Sequence, residues 1–213
     1  MYVKNHFLSK ERLTIVSPEE SIGSALEKIN NGDFMSLPVL DGDEFKGILM
    51  KEAIFRNYFE KGCLDKEKYL EETKVKDLYG QNYKSINENE LIENASYLLK
   101  EFRTPFLPVF NGEENFVGIL THYAIFNAFS EIFGFEQGTR IVINMFDIPG
   151  QLAKLTEVIR KENVNIVNLA VMDAKILDVY KVVIRVDTED IDNLLKKINN
   201  AGLKIAEVTK IDE

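Results

Sequence analysis

One cysteine, two histidines and no tryptophan occur in the 213 residues of this chain. With Cys63 alone, neither an internal disulfide nor a cysteine-based zinc cluster can form. His6 and His122 lie far apart, with no ligand-type spacing around either, so no metal site is expected. No apolar run approaches the roughly 20 residues that cross a bilayer, and no membrane partner is expected. Residues 1–12 carry charges and lack the apolar core of a secretory signal, which makes a cytoplasmic location the expectation. A basic patch is also missing: the net charge is −9, and the lysines and arginines are interleaved with Glu and Asp. Such a chain repels nucleic-acid backbones, so no nucleic-acid partner is expected. A small anion is still accessible to it, because backbone amides and one or two basic side chains can hold one. What is present, 45% hydrophobic and 29% charged residues, is the mix of a globular protein of one large or two ordinary domains.

The first 130 or so residues repeat. An offset of 70 (92 − 22) puts Ile22 on Ile92, Val16 on Ile86, Ala25 on Ala95, Leu37-Pro38-Val39 on Leu107-Pro108-Val109 and Gly42 on Gly112. One extra residue, Asn115, shifts the offset to 71, and Gly47-Ile48-Leu49 then falls on Gly118-Ile119-Leu120 and Ala53-Ile54-Phe55 on Ala124-Ile125-Phe126. Each copy predicts a helix (Ile22, Ala25, Leu26, Ile29; Ile92, Ala95, Leu98, Leu99), with Ser17 or Ser21 as the first cap. A short strand, an Asp-Gly or Asn-Gly turn, a second strand and a second helix follow. Gly42 and Gly112 are expected to supply positive φ in those turns. Gly47 and Gly118, inside strands, imply close approach of either a ligand or packed backbone. Pro38 and Pro108 suit an edge or bulged strand.

This repeat resembles the CBS domain, and its pairing resembles a CBS tandem, the Bateman module, over residues 1–133 or so. The Leu-Pro-Val strands, the turn glycines, Phe45-Lys46-Gly47-Ile48-Leu49 and Phe116-Val117-Gly118-Ile119-Leu120 carry the resemblance. It implies two helix-flanked sheets related by a pseudo-twofold axis, with nucleotides bound in the cleft between them. It also implies nucleotide contacts at Thr121, His122, Phe106, Pro105, Ile86 and Ser85 in the second copy, and at Val16 and Ser36 in the first.

The family's strand-to-helix turn commonly reads Gly, two apolar residues, Thr or Ser, two variable residues, Asp; the hydroxyl contacts phosphate and the carboxylate grips the ribose diol. Here the second copy keeps Thr121 and replaces the acid by Ala124, and the first copy has Met50 and Ala53. A basic residue often found at the start of the second strand is replaced by Ser36 and Phe106. A ligand without a free ribose diol suits that pattern. In cyclic di-AMP each 3′-oxygen is esterified, which leaves stacking on adenine to Phe106 and phosphate contacts to Thr121 and His122. The layout is similar to that of the cyclic di-AMP-binding CBS–ACT proteins of Gram-positive bacteria and of acetoin utilisation protein B.

Residues 139–213 change character. Arg140 to Phe146 reads as a strand, and Leu152, Leu155, Val158 and Ile159 as a helical stripe with Pro149 in its first turn. Asn165 to Met172 and Val179 to Val186 are β-rich. A helix carrying Ile191, Leu194, Leu195 and Ile198, capped by Asp187 or Thr188 and ended by Gly202, leads to a last strand at Lys204 to Ile211. The order βαββαβ is a ferredoxin-like split arrangement. With the Asp147-Ile148-Pro149-Gly150 turn it resembles the ACT domain, whose turn at Asp147, Pro149 and Gly150 implies an amino-acid site or a shaped dimer contact.

The expected class is therefore α+β: CBS copies at 1–72 and 73–134 and an ACT domain at 139–213. The expected function is a regulatory sensor, not an enzyme and with no cofactor. Its ligand would be an adenine nucleotide, cyclic di-AMP foremost, and its partners a second copy of itself and an unidentified downstream protein. The alternative is an amino-acid-sensing or ligandless dimerisation module acting through the ACT domain. No nucleophile–base pair or carboxylate dyad stands out for catalysis.

Overall fold

The structure, a computed structural model, describes residues 1–62, 65–135 and 138–210. Cys63 and Ile211, the end of the expected last strand, lie outside those residues. The chain divides into two compact units, residues 1–128 and 129–213.

The elements of the repeat are β1 (Leu8–Ser9), α1 (Ile22–Asn31), β2 (Ser36–Asp41), β3 (Glu44–Met50), α2 (Lys51–Lys61) and α3 (Lys66–Glu72), then β4 (Ile86–Asn87), α4 (Ile92–Phe102), β5 (Phe106–Phe110), β6 (Phe116–Thr121) and α5 (His122–Phe133). Helix, strand, strand, helix recurs in each copy as the periodicity predicts; β1, β4 and α3 are additions too short for a pattern to reveal. Ser21 is the cap of α1, its hydroxyl accepting the Ser24 amide at 3.3 Å. Ile22, Ala25 and Ile29 on α1 and Ile92, Ala95 and Leu99 on α4 are buried. Burying each Ile or Leu is worth about 1.5–3 kcal/mol.

The hairpins match residue for residue: Leu37 opposes Leu49 and Val39 opposes Gly47, as Leu107 opposes Leu120 and Val109 opposes Gly118. The register slips at Val39/Leu40 and at Val109/Phe110, one residue beyond each proline, so Pro38 and Pro108 adjoin bulges. The turns differ. Gly42 has φ +59°, but in the second turn the positive φ (+62°) belongs to Glu114, not Gly112. The inserted Asn115 lengthens that turn, and the Asn111 side chain organises it by accepting the amides of Glu113 and Asn115, both at 3.0 Å.

The copies exchange their leading segments. Residues ahead of the first copy dock on the second: Val3 and Lys4 donate to Glu90 and Glu88, Ile92 donates to Met1, and β1 pairs with β6. Residues ahead of the second copy dock on the first: Val75 and Lys76 donate to Glu20 and Pro18, Ile22 donates to Thr73, and Gly80 bridges Ile48. Val3 and Val75, both fully buried, occupy equivalent places. The strand glycines serve this exchange. A Cβ on Gly118 would overlap the carbonyl oxygen of Leu8 and the Phe7 ring, and one on Gly47 would overlap that of Gly80 and the Tyr79 ring. Packed backbone, not a ligand, is thus what both glycines admit. An apolar seam joins the copies: Leu40, Phe45 and Ile48 pack with Phe106, Phe116 and Ile119, the rings of Phe45 and Phe116 stacked at 4.9 Å.

The second unit contains β7 (Thr139–Phe146), α6 (Gln151–Lys161), β8 (Asn165–Ile176), β9 (Val179–Asp187), α7 (Ile191–Asn200) and β10 (Lys204–Thr209). They form an antiparallel sheet of order β10–β7–β9–β8, the split arrangement expected. Ile141, Ile143, Met145, Val182, Ile184 and Val186 face Leu155, Ile159, Leu194 and Ile198 of the helices in one core. Two caps differ from expectation. Asp190, not Asp187 or Thr188, caps α7 by accepting the Asn193 amide at 3.1 Å. Pro149 stands outside α6, whose N-cap is Gly150 at φ +91°.

Candidate functional site

Four of the eight nominated nucleotide residues come together at one end of the β5–β6 hairpin. Phe106 and Thr121 are directly opposed strand partners. The His122 ring donates through Nδ1 to the Pro105 carbonyl oxygen at 3.2 Å; because a carbonyl only accepts, the proton sits on Nδ1 and Nε2 is left outward. Thr121 Oγ1 accepts the Ala124 amide at 3.2 Å and so caps α5, while the hydroxyl proton stays available to an acceptor. His122 and Tyr123 are exposed in the first turn of α5, where amides without intrahelical partners favour anions. The Pro105 carbonyl is thereby aimed by a side chain, and the helix start by the threonine.

The first copy is built differently at the same place. Ser36 opposes Met50, and the Lys51 amide donates to the Met35 carbonyl at 2.9 Å, with no side-chain cap on α2. Ser36 is half-buried. Val16 is only 1% exposed, in the first-copy core, with its amide donating to Pro38 and its carbonyl accepting from Leu40. It is a structural position: neither its side chain nor its backbone hydrogen-bonding groups are offered to a ligand.

Phe106 also departs from its expected role. At 3% exposure it lies inside the apolar seam, with no open ring face for adenine. The reason is the second copy's packing against the first, which covers the side of β5 that the strand pattern alone left open. Ser85 and Ile86 lie apart from the turn, since β4 pairs with β5 at Val109 and Phe110. They line two adjoining cavities, one of about 400 Å³ with Tyr83, Phe110, Asn111 and Glu114, the other of about 390 Å³ with Glu90, Asn94 and Tyr97. Tyr83 was missed by sequence reasoning. It packs edge-on to Phe45 at 4.8 Å, and burial, with the charge of Glu44, pushes its phenol pKa up. Its one signal was an isolated aromatic in a polar segment.

In the second unit, Asp147 lines a cavity of about 410 Å³ with Leu152, Val171, Met172, Asp173, Val179 and Tyr180. Pro149 and Gly150 shape the adjoining turn; a Cβ on Gly150 would meet nothing within 4 Å, so φ alone asks for glycine there. Phe146 and Ile148 beside the turn are exposed. Among the described residues no group of three or more His, Cys, Asp or Glu could hold a metal ion, and no helix is long and apolar enough to cross a membrane.

Two helix–strand–strand–helix copies with matching hairpin registers precede a split βαββαβ sheet in this chain. The chain belongs to the CBS domain family, whose profile matches residues 5–60 and 75–131, and residues 137–209 match the TTHA0829-like ACT domain. Among solved structures, it is similar to CBSX2 in complex with AMP, at 26% identity and a TM-score of 0.52, covering 62% of this chain and 97% of that one. CBSX2 from Arabidopsis thaliana, a CBS-pair protein, matches at 24% identity and a TM-score of 0.53, covering 62% of this chain and 95% of that one. CbpB in complex with c-di-AMP matches at 20% identity and a TM-score of 0.51, covering 61% of this chain and 85% of that one, a likeness of fold.

Proposed function

We propose that this protein is a non-enzymatic sensor whose CBS pair binds an adenine nucleotide with no free ribose diol, cyclic di-AMP foremost. In this reading the phosphate contacts lie on the second copy. The carrying observation is the turn Thr121-His122-Tyr123-Ala124. Its threonine hydroxyl and exposed helix amides suit a phosphate, while Ala124 stands where the family places a ribose-gripping carboxylate. CBSX2, a CBS pair of the same fold, is solved with AMP, and CbpB, of similar fold, with c-di-AMP, which supports an adenine nucleotide as the ligand class. With Phe106 buried, adenine recognition falls to backbone groups and to the cavity walls at Ser85, Ile86 and Tyr83. The bound state is passed to a downstream protein through a homodimer and the ACT domain. Calorimetry tests the reading: cyclic di-AMP should bind at micromolar concentration or tighter and AMP at least tenfold more weakly, a gap of about 1.4 kcal/mol. Micromolar AMP binding with no heat from cyclic di-AMP would overturn it.

A second reading, amino-acid sensing by the ACT domain, is favoured by the cavity at Asp147, whose carboxylates Asp147 and Asp173 could receive an ammonium group. Heat from a free amino acid, lost in Asp147→Ala, would establish it.

A further inference from the structure

The two copies share one framework at the start of α1 and α4. At the offset of 70, Glu20 corresponds to Glu90, Ser24 to Asn94, Ile15 to Ser85 and Lys28 to Leu98. The backbone around them is bonded alike. The Glu20 amide donates to the Ser17 carbonyl at 3.2 Å, and the Glu90 amide to that of Asn87 at 3.0 Å. The Glu20 carbonyl accepts from Val75 and the Glu90 carbonyl from Val3, both at 2.9 Å. Val16 bridges Val39 as Ile86 bridges Val109, each in parallel. The carboxylates are gripped from the helix in the same way: Ser24 Oγ donates to Glu20 at 2.6 Å, and Asn94 Nδ2 to Glu90 at 3.0 Å.

One position breaks the match. In the first copy, Lys28 Nζ donates to the Ile15 carbonyl oxygen at 3.1 Å and to the Glu20 carboxylate at 3.0 Å. Burial pushes the Glu20 carboxyl pKa up, but the bonds from Lys28 and Ser24 outweigh it and hold the group below its ordinary value. In the second copy Leu98 stands in place of Lys28, shorter and with no donor. A cavity of about 390 Å³ opens there, lined by Ser85, Ile86, Glu90, Asn94, Tyr97 and Leu98. Among the described residues, no Lys or Arg forms an ion pair with Glu90. Lys4, whose amide bonds the neighbouring Glu88 carbonyl, turns its ammonium to Asn89 at 3.4 Å and over the Tyr2 ring.

We propose that this cavity binds the primary ammonium group of a small alkylamine, in the place that the Lys28 ammonium takes in the first copy. The N–H donors of the amine meet the Ser85 carbonyl oxygen and the Glu90 carboxylate, the counterparts of the two groups that Lys28 bonds. Its alkyl chain lies along Leu98 and Ile86, where the lysine chain has been replaced by an apolar wall. Hydrogen bonds from an ion to an ion are the strong ones, which selects an ammonium over an alcohol of the same shape. The need for N–H donors selects a primary amine over a quaternary one, and the apolar wall selects an alkylamine over a bare metal cation. The size fits: an apolar cavity of about 150 Å³ takes benzene, so this one admits a butylammonium, which is a lysine side chain without its backbone. The assignment does not rest on the nucleotide reading, which uses the adjoining cavity of Tyr83 and Phe110.

Thermal shift and calorimetry on the full chain, with n-butylammonium chloride as the probe, test the assignment. The probe should bind with one equivalent and raise the melting temperature. Butan-1-ol, tetramethylammonium chloride and potassium chloride at the same concentration should not. Glu90→Gln, at an exposed position, should weaken the probe about tenfold or more, the factor carried by one hydrogen bond to a charged group. Leu98→Lys recreates the first copy's arrangement, so it should raise the unliganded melting temperature and abolish binding. Lys28→Leu makes the reciprocal change and should raise the stoichiometry from one equivalent to two. Should Lys28→Leu fail to fold, Leu98→Lys decides. Equal shifts from butan-1-ol or potassium, probe affinity unchanged in Glu90→Gln or in Leu98→Lys, a folded Lys28→Leu that still binds one equivalent, or no binding up to about 10 mM would each overturn the proposal.

Discussion

The carbonyl oxygen of Leu8 lies in the space that a Cβ on Gly118 would occupy. Gly118 has no positive φ, so glycine is required there by crowding alone. Gly118→Ala must push β1 off β6 or crush the Phe7 ring, at a cost of about 1–3 kcal/mol. Gly112→Ala meets nothing within 4 Å and should stay within about 0.5 kcal/mol of the parent. Chemical denaturation of both variants compares them directly, and equal midpoints would refute the close approach.

Glu157 on α6 accepts two hydrogen bonds from Arg160, at 2.8 and 2.9 Å, and has Lys161 beside it. The bonds from Arg160, with the charges of both bases, lower its carboxyl pKa from 4.5 to about 2. A depressed folded pKa adds stability that is complete above the unfolded value and disappears as pH falls through the folded one. The contribution of Glu157 should therefore fade between about 4.5 and about 2. The pair is solvated, so the effect should be small and weaken with salt. Following the Glu157 carboxyl resonance during acidification measures it; a midpoint near 4.5 would show that the pair does not persist in solution.

The repeat was legible because its signal is carried by core positions. Ile22 and Ile92, Val39 and Val109, and Gly47 and Gly118 are fixed by packing in both copies, so spacing alone aligns them. The segment exchange was not legible. Val3 and Val75, or Phe7 and Tyr79, stand in runs too short to show a period, and their partners are remote in sequence. The burial of Phe106 was not legible for a related reason: alternation says which side of a strand a residue is on, but not what covers that side. The ACT topology followed from two helical stripes and four strand-like runs. The Arg140–Arg185 pairing did not, since strand register brings them together.

Thr121 is both the cap of α5 and the nominated phosphate ligand, and two substitutions separate the roles. Thr121→Val removes the acceptor for the Ala124 amide and should cost about 0.5–2 kcal/mol of stability. Thr121→Ser keeps the hydroxyl and should keep both the cap and the nucleotide. Nucleotide affinity that falls in Thr121→Val and survives in Thr121→Ser supports contact through the hydroxyl. Affinity unchanged in both, alongside a lowered melting temperature in Thr121→Val alone, leaves Thr121 a purely structural cap.

Phe106 provides the sharpest contrast between sequence and structure. If adenine stacked on its ring, both Phe106→Ala and Phe106→Leu would forfeit about 1–3 kcal/mol of binding, or roughly tenfold and more. Its burial among Leu40, Phe45, Ile48, Phe116 and Ile119 leads to a different pair of outcomes. Phe106→Ala opens a cavity in the seam and should cost about 3–5 kcal/mol of stability. Phe106→Leu nearly refills that space, should cost less than about 1.5 kcal/mol, and should leave nucleotide affinity within a factor of about three. The two measurements, a denaturation midpoint and a calorimetric affinity, are independent. A leucine variant as stable as the parent but tenfold weaker for nucleotide would mean that the ring swings out of the seam to meet the base.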